Sequence, residues 1–145
     1  MRAYSFRLAG VARVRHLQEG IAAQGLATAT RDVASAMAGL AHATALLDQL
    51  AVPQGTISAD ILHWTGDQAD RMGEARRSHA TALVAAEARR EMAREQWLVA
   101  RRRCAVLERL DARRRSEWQT EYDRAEAKEL DDMASGRAIG LQGAT

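Results

Sequence analysis

From Leu26 to Leu50 the apolar residues Leu26, Ala29, Val33, Ala36, Leu40, Ala43, Leu47 and Leu50 recur at alternating steps of three and four without an exception. That spacing lays one narrow apolar stripe along a helix and requires one partner helix to cover it. A strand would need a period of two, so the segment is confined to a long helix-on-helix contact. Upstream, Val14, Leu17 and Ile21 keep the same spacing in a different phase, which predicts a local change in supercoil, not a break, near Gln24 and Gly25.

The stripe stops at Val52-Pro53-Gln54-Gly55. Pro53 lacks the amide hydrogen a helix needs and disfavours helical geometry in the residue before it. Gly55 completes the stop, Ser58 can cap the next helix, and Asp60 suits the positive end of that helix's dipole. A second stripe follows through Ala69, Met72, Leu83, Ala86, Ala93, Trp97, Ala100, Cys104 and Leu107, and its phase reaches Trp118 and Ala125. Gly66 and Gly73 weaken its first turns by about 1 kcal/mol each relative to alanine. The tail from Gly136 to Thr145 carries three glycines and is expected to fray.

The predicted fold class is therefore all-α: two long helices in an antiparallel coiled-coil hairpin. Helix one runs from about 6 to 50, the turn occupies 52–58, helix two runs from about 59 to 134, and 136–145 is a flexible tail. With the loop centred near residue 55, Leu50 lies opposite about Asp60 and Phe6 opposite about Cys104. The paired part is then roughly 65–70 Å long at 1.5 Å per residue. Beyond it the second helix overhangs at its C-terminal end with no internal partner. Composition agrees, because alanine, arginine, glutamate and leucine dominate, with one proline and one phenylalanine in 145 residues. These are strong helix formers, and the length suits a single domain over 1–135.

Little chemistry is on offer. There is no GxxxxGK[ST] or GxGxxG loop, the four histidines are scattered, and Cys104 sits on the stripe as a small core residue. No enzyme, metal or cofactor is implied, since a nucleophile needs a base held by a third group inside a cleft. The N-terminus lacks the apolar core of a signal peptide, and the apolar runs fall short of the ~20 residues that span a bilayer. The cytoplasm is the expected location.

The net charge of +2 conceals opposed blocks. Residues 87–115 hold ten arginines against five acids, and 116–135 hold seven acids against two bases. Such blocks suit protein partners of opposite charge. The triplets Arg101–Arg103 and Arg113–Arg115 fan around a helix, with acids at helical spacing in Asp111–Arg115 and Arg113–Glu117. They read as a solvated or protein-binding face and not as a nucleic-acid site. Trp97 and Trp118 share a face. Helix one should cover Trp97, whereas the antiparallel count leaves Trp118 uncovered, so that with Tyr122 it reads as an interface anchor.

The opening Tyr4-Ser-Phe6-Arg7-Leu8, with Val11, Arg13, Val14 and Arg15, resembles the start of the flagellar export protein FliJ family. The resemblance continues through Val106-Leu107-Glu108-Arg109-Leu110-Asp111-Ala112-Arg113-Arg114, Glu117-Trp118, and Glu126-Ala127-Lys128-Glu129-Leu130-Asp131-Asp132-Met133-Ala134. Asp132 departs from the pattern, where glutamate is commoner, and the loop is short of aromatic residues. The resemblance implies a non-enzymatic part of the flagellar type III export apparatus. Such a protein binds the export ATPase ring, contacts the membrane export gate and escorts substrate chaperones. With the partners supplied by the resemblance and the positions by the antiparallel count, the gate surface is expected at Leu46, Leu50, Met72, Ala75 and His79. The ATPase surface is expected on the overhang at Leu110, Arg113, Arg114, Trp118, Tyr122 and Asp131. The alternative is a generic structural coiled coil, either a related stalk or a homodimerising scaffold.

Overall fold

The structure, a computed structural model, describes residues 3–50 and 55–142, with side chains as far as Ala134. Its two elements are both helices that pack against each other: α1, Ala9–Asp48, and α2, Ala59–Gln142. The chain divides into two units, each drawing on both helices. One comprises Met1–Leu17 with Arg101–Thr145, and the other Gln18–Ala100.

Before α1 the chain is irregular from Ala3 to Phe6. The Ala9 amide donates to the Phe6 carbonyl at 3.1 Å and the Ala12 amide to that of Leu8 at 2.9 Å, which winds the first turn. At the far end of α1 the Leu50 amide donates back to the Leu47 carbonyl at 3.2 Å, the tightening common at a helix terminus. Of the expected turn, Val52 to Gln54 lie outside the described residues. Gly55 has φ +105°, a conformation that L side chains rarely adopt, so glycine is required there. Ser58 caps α2: its Oγ accepts from the Ile61 amide at 3.4 Å and its carbonyl from the Leu62 amide at 3.2 Å. Helix α2 continues past the expected end at Ala134 as far as Gln142, so the tail expected to fray from 136 is helical through Gln142. Gly136 and Gly140 each weaken a helix, but extending one already nucleated adds a hydrogen bond for each residue fixed.

The stripe from Leu26 to Leu50 is the covered face of α1. Ala29, Val33 and Ala43 are buried, and Leu26, Ala36, Leu40, Leu47 and Leu50 are half-buried. On α2 Ala86 and Cys104 are buried, while Ala69, Met72, Leu83, Ala93, Trp97, Ala100, Leu107, Trp118 and Ala125 are half-buried.

Upstream of Gly25 the expected change of phase does not occur. Val14, Leu17 and Ile21 are 54%, 66% and 61% exposed. The covered positions are instead Ala12, Arg15, Glu19 and Ala22, which extend the Leu26 phase without a slip. The reason is mechanical, because an unbroken helix keeps the facing side that its longest covered stretch dictates. Polar groups share the seam there, where a His16 ring nitrogen lies within 4.8 Å of the Glu19 carboxylate and of the Sγ of the buried Cys104.

Candidate functional site

The densest cluster of specific contacts lies in the unit that joins the N-terminal segment to the later part of α2. Tyr4 donates its hydroxyl hydrogen to Asp111 Oδ1 at 2.6 Å, and the same oxygen lies 3.2 Å from the Asp111 carbonyl. Its ring is 6.0 Å from Trp118, and Trp118 is 5.4 Å from Tyr122, centroid to centroid and tilted in both pairs. These are favourable aromatic separations. The Arg115 guanidinium lies 5.4 Å from the Tyr4 centroid and holds Asp111 Oδ2 at 3.4 Å. One turn on, Glu117 accepts from Arg113 Nε at 2.8 Å and from Arg114 Nη1 at 3.2 Å. A groove of about 790 Å³ runs between residues 3–8 and the face carrying Leu110, Arg114, Glu117, Trp118 and Glu121.

The electrostatics follow from these contacts. Partial burial, then the hydrogen bond to Asp111 and its negative charge, raise the Tyr4 phenol above its ordinary value. The Arg113 hydrogen bond, reinforced by the charges of Arg113 and Arg114, outweighs burial and holds the Glu117 carboxyl below the ordinary carboxylate range. The cluster is thus a zwitterionic, aromatic surface suited to binding a protein. A base aimed at a nucleophile is not part of it.

This geometry corrects the expectation that α2 overhangs from Leu110. Phe6 was placed opposite about Cys104, yet His16 already lies 3.8 Å from Glu108 and Tyr4 reaches Asp111 and Trp118. Trp118 therefore has an internal aromatic partner and is half-buried. The count failed inside the helices, because a loop centre near residue 55 puts Gly39 opposite about Arg71 and His16 opposite about Arg94, whereas they lie against His79 and Glu108. Loss of cover begins after Tyr122, since from Asp123 to Ala134 only Ala125 is half-buried.

The model of the flagellar FliJ protein family matches residues 4–142. The chain belongs to that family. No curated protein and no solved structure is a significant match. FliJ proteins are non-enzymatic components of flagellar export, and the match spans both the N-terminal segment and the part of α2 against which it lies.

Of the residues expected to meet the ATPase, Leu110, Arg114 and Trp118 line the groove of this FliJ chain. Tyr122 stacks on Trp118, Arg113 is tied to Glu117, and Asp131 stands exposed further along α2. Tyr4 completes the cluster and was missed as a site residue, although an aromatic placed just ahead of a helix start was the available signal.

The five residues expected to meet the gate fall in the other unit. Leu50 and Met72 are half-buried on their stripes, whereas Leu46, Ala75 and His79 are exposed. The His79 ring lies over Gly39, where an added methyl would come within 2.9 Å of its Nδ1. Counting back from that pair, Asp48 at the end of α1 faces about Asp70. The turns of α2 before Asp70 therefore have no residue of α1 across from them. There Ile61, Leu62 and Trp64 stand 50%, 64% and 59% exposed, a group that sequence reading passed over. Beside them His63 Nε2 lies 3.7 Å from Asp67 at four-residue spacing. No described helix is long and apolar enough to cross a membrane.

Proposed function

We propose that this FliJ protein works as an antiparallel coiled-coil hairpin in the cytoplasm, peripherally at the inner face of the cell membrane. It binds the export ATPase ring with the cluster at Leu110, Arg113, Arg114, Trp118 and Tyr122 and with Asp131. It reaches the membrane export gate with the surface around Leu46, Leu50, Met72, Ala75 and His79, and it escorts substrate chaperones. The family match over residues 4–142 carries the export role. The ATPase assignment is supported by the concentration of tilted aromatics and ion-paired arginines within the same few turns of α2. Aromatic and arginine side chains are the types that dominate binding hot spots. A second reading, a homodimerising scaffold, is favoured by the exposed Val11, Val14 and Leu17, which offer a second copy an apolar face.

The deciding experiment is Trp118→Ala, with affinity for the ATPase, sedimentation and helicity all measured. Loss of a hot spot worth about 2 kcal/mol would weaken ATPase binding about thirtyfold while the chain stays helical and monomeric. Unchanged ATPase binding by a chain that sediments as a dimer, and that Val14→Asp turns into monomers, would replace the stalk reading with the scaffold.

A further inference from the structure

The first turns of α2 carry a binding face that the export reading does not use. At 3.6 residues per turn, Asp60, Ile61, Trp64 and Asp67 fall on one side of the helix, with each carboxylate within one turn of the indole. All four are exposed, and α1 stops short of them. Trp64 stands with the exposed Ile61 and Leu62, and tryptophan is among the residue types enriched in binding hot spots. The charges near the indole are Asp60, Asp67 and Asp70, against one arginine within two turns, Arg71. Trp64 thus stands in an anionic field.

We propose that this Asp60–Trp64–Asp67 face docks an arginine side chain presented by a partner protein. A guanidinium can stack on the indole while its N–H groups reach a carboxylate on either side, which combines cation–π attraction with charge-assisted hydrogen bonds. Lysine fits less well, since its ammonium is a strongly hydrated point charge that neither stacks nor bonds as a fork. An anionic membrane surface is repelled by the same aspartates. A second copy of this chain could offer its own arginines. A dimer of that kind would show itself by its dependence on protein concentration. The inference rests on the exposure and charge of this face and is independent of the export reading.

The test uses the full chain labelled with 5-fluorotryptophan, whose Trp64 resonance is assigned with Trp64→Phe. Hexa-arginine should move the Trp64 resonance saturably and leave that of Trp97 in place. Hexa-lysine should bind about threefold more weakly or worse. The double variant Asp60→Asn, Asp67→Asn should weaken hexa-arginine about tenfold with helicity unchanged. A Trp64 resonance indifferent to hexa-arginine would overturn the proposal. So would equal responses to the two peptides, or a double variant that binds like the parent chain. Movement on raising the protein concentration alone would assign the face to a second copy, and movement on adding phosphatidylcholine–phosphatidylglycerol vesicles would assign it to a membrane.

Discussion

Tyr4 does more than any other single side chain to shape the candidate site, since it donates to Asp111, packs on Trp118 and lies under Arg115. Because its phenol is raised in the folded chain, the stabilisation it contributes is fully present below the ordinary value of 10.0 and is lost as pH rises through the raised value. In a Tyr122→Phe variant the remaining tyrosine should therefore ionise above pH 10, and Trp118 emission should shift to the red over the same interval. Ionisation at the ordinary value, with unchanged emission, would show that the segment does not hold Tyr4 in place. Glu117 works in the opposite sense: its contribution is present above the ordinary carboxylate value and fades as pH falls through the lowered one. Part of this was legible in the sequence. The ion pairs Asp111–Arg115 and Arg113–Glu117 follow from four-residue spacing and are formed at 3.4 and 2.8 Å. The Tyr4 contact was not legible, because a hydrogen bond across 107 positions leaves no periodic trace.

At the scale of the helix, the two stripes were readable because a three-four repeat has one geometric meaning, and every residue assigned to them from Leu26 onward is buried or half-buried. The reading failed where apolar residues recur on the wrong side. Val14, Leu17 and Ile21 satisfy the same local rule as Val33, and only the continuity of α1 determines which set is covered. The two sets should therefore respond unequally to truncation. Val33→Ala removes two buried methylene equivalents and should lower stability by about 1.5 kcal/mol in urea unfolding. Val14→Ala and Ile21→Ala should each stay within about 0.5 kcal/mol. Equal losses at Val33 and Val14 would restore the phase shift near Gly25 and contradict the exposures described above. The extension of α2 to Gln142 was likewise hidden, since three glycines signal a stop locally but do not end a helix that is already running.

For the molecule as a whole, the fully buried hydrophobic set among the described residues is small in number and in side-chain size: Ala29, Val33, Ala43, Ala86 and Cys104. Such a seam yields little hydrophobic free energy per residue, so the isolated protein should melt at low temperature and depend on its partners for stability. A partner that binds only the folded chain, supplied at a hundred times its dissociation constant, should stabilise it by about 2.7 kcal/mol. Scanning calorimetry of the chain with and without the export ATPase should show that rise in melting temperature, and a melting point indifferent to the ATPase would count against the proposed partnership. The alanine-rich seam has a mechanical consequence too. Small side chains interlock poorly, so one helix meets few walls when it slides along another by whole turns. Alignment then depends on a few detents, among them the Tyr4 hydroxyl latched to Asp111, the His16 ring beside Glu108, and the Gly39 notch that admits the His79 ring and would reject it if a methyl group were there. The chain is in that sense a slide with stops, its register held by a few polar and notched contacts along a seam whose buried side chains are small.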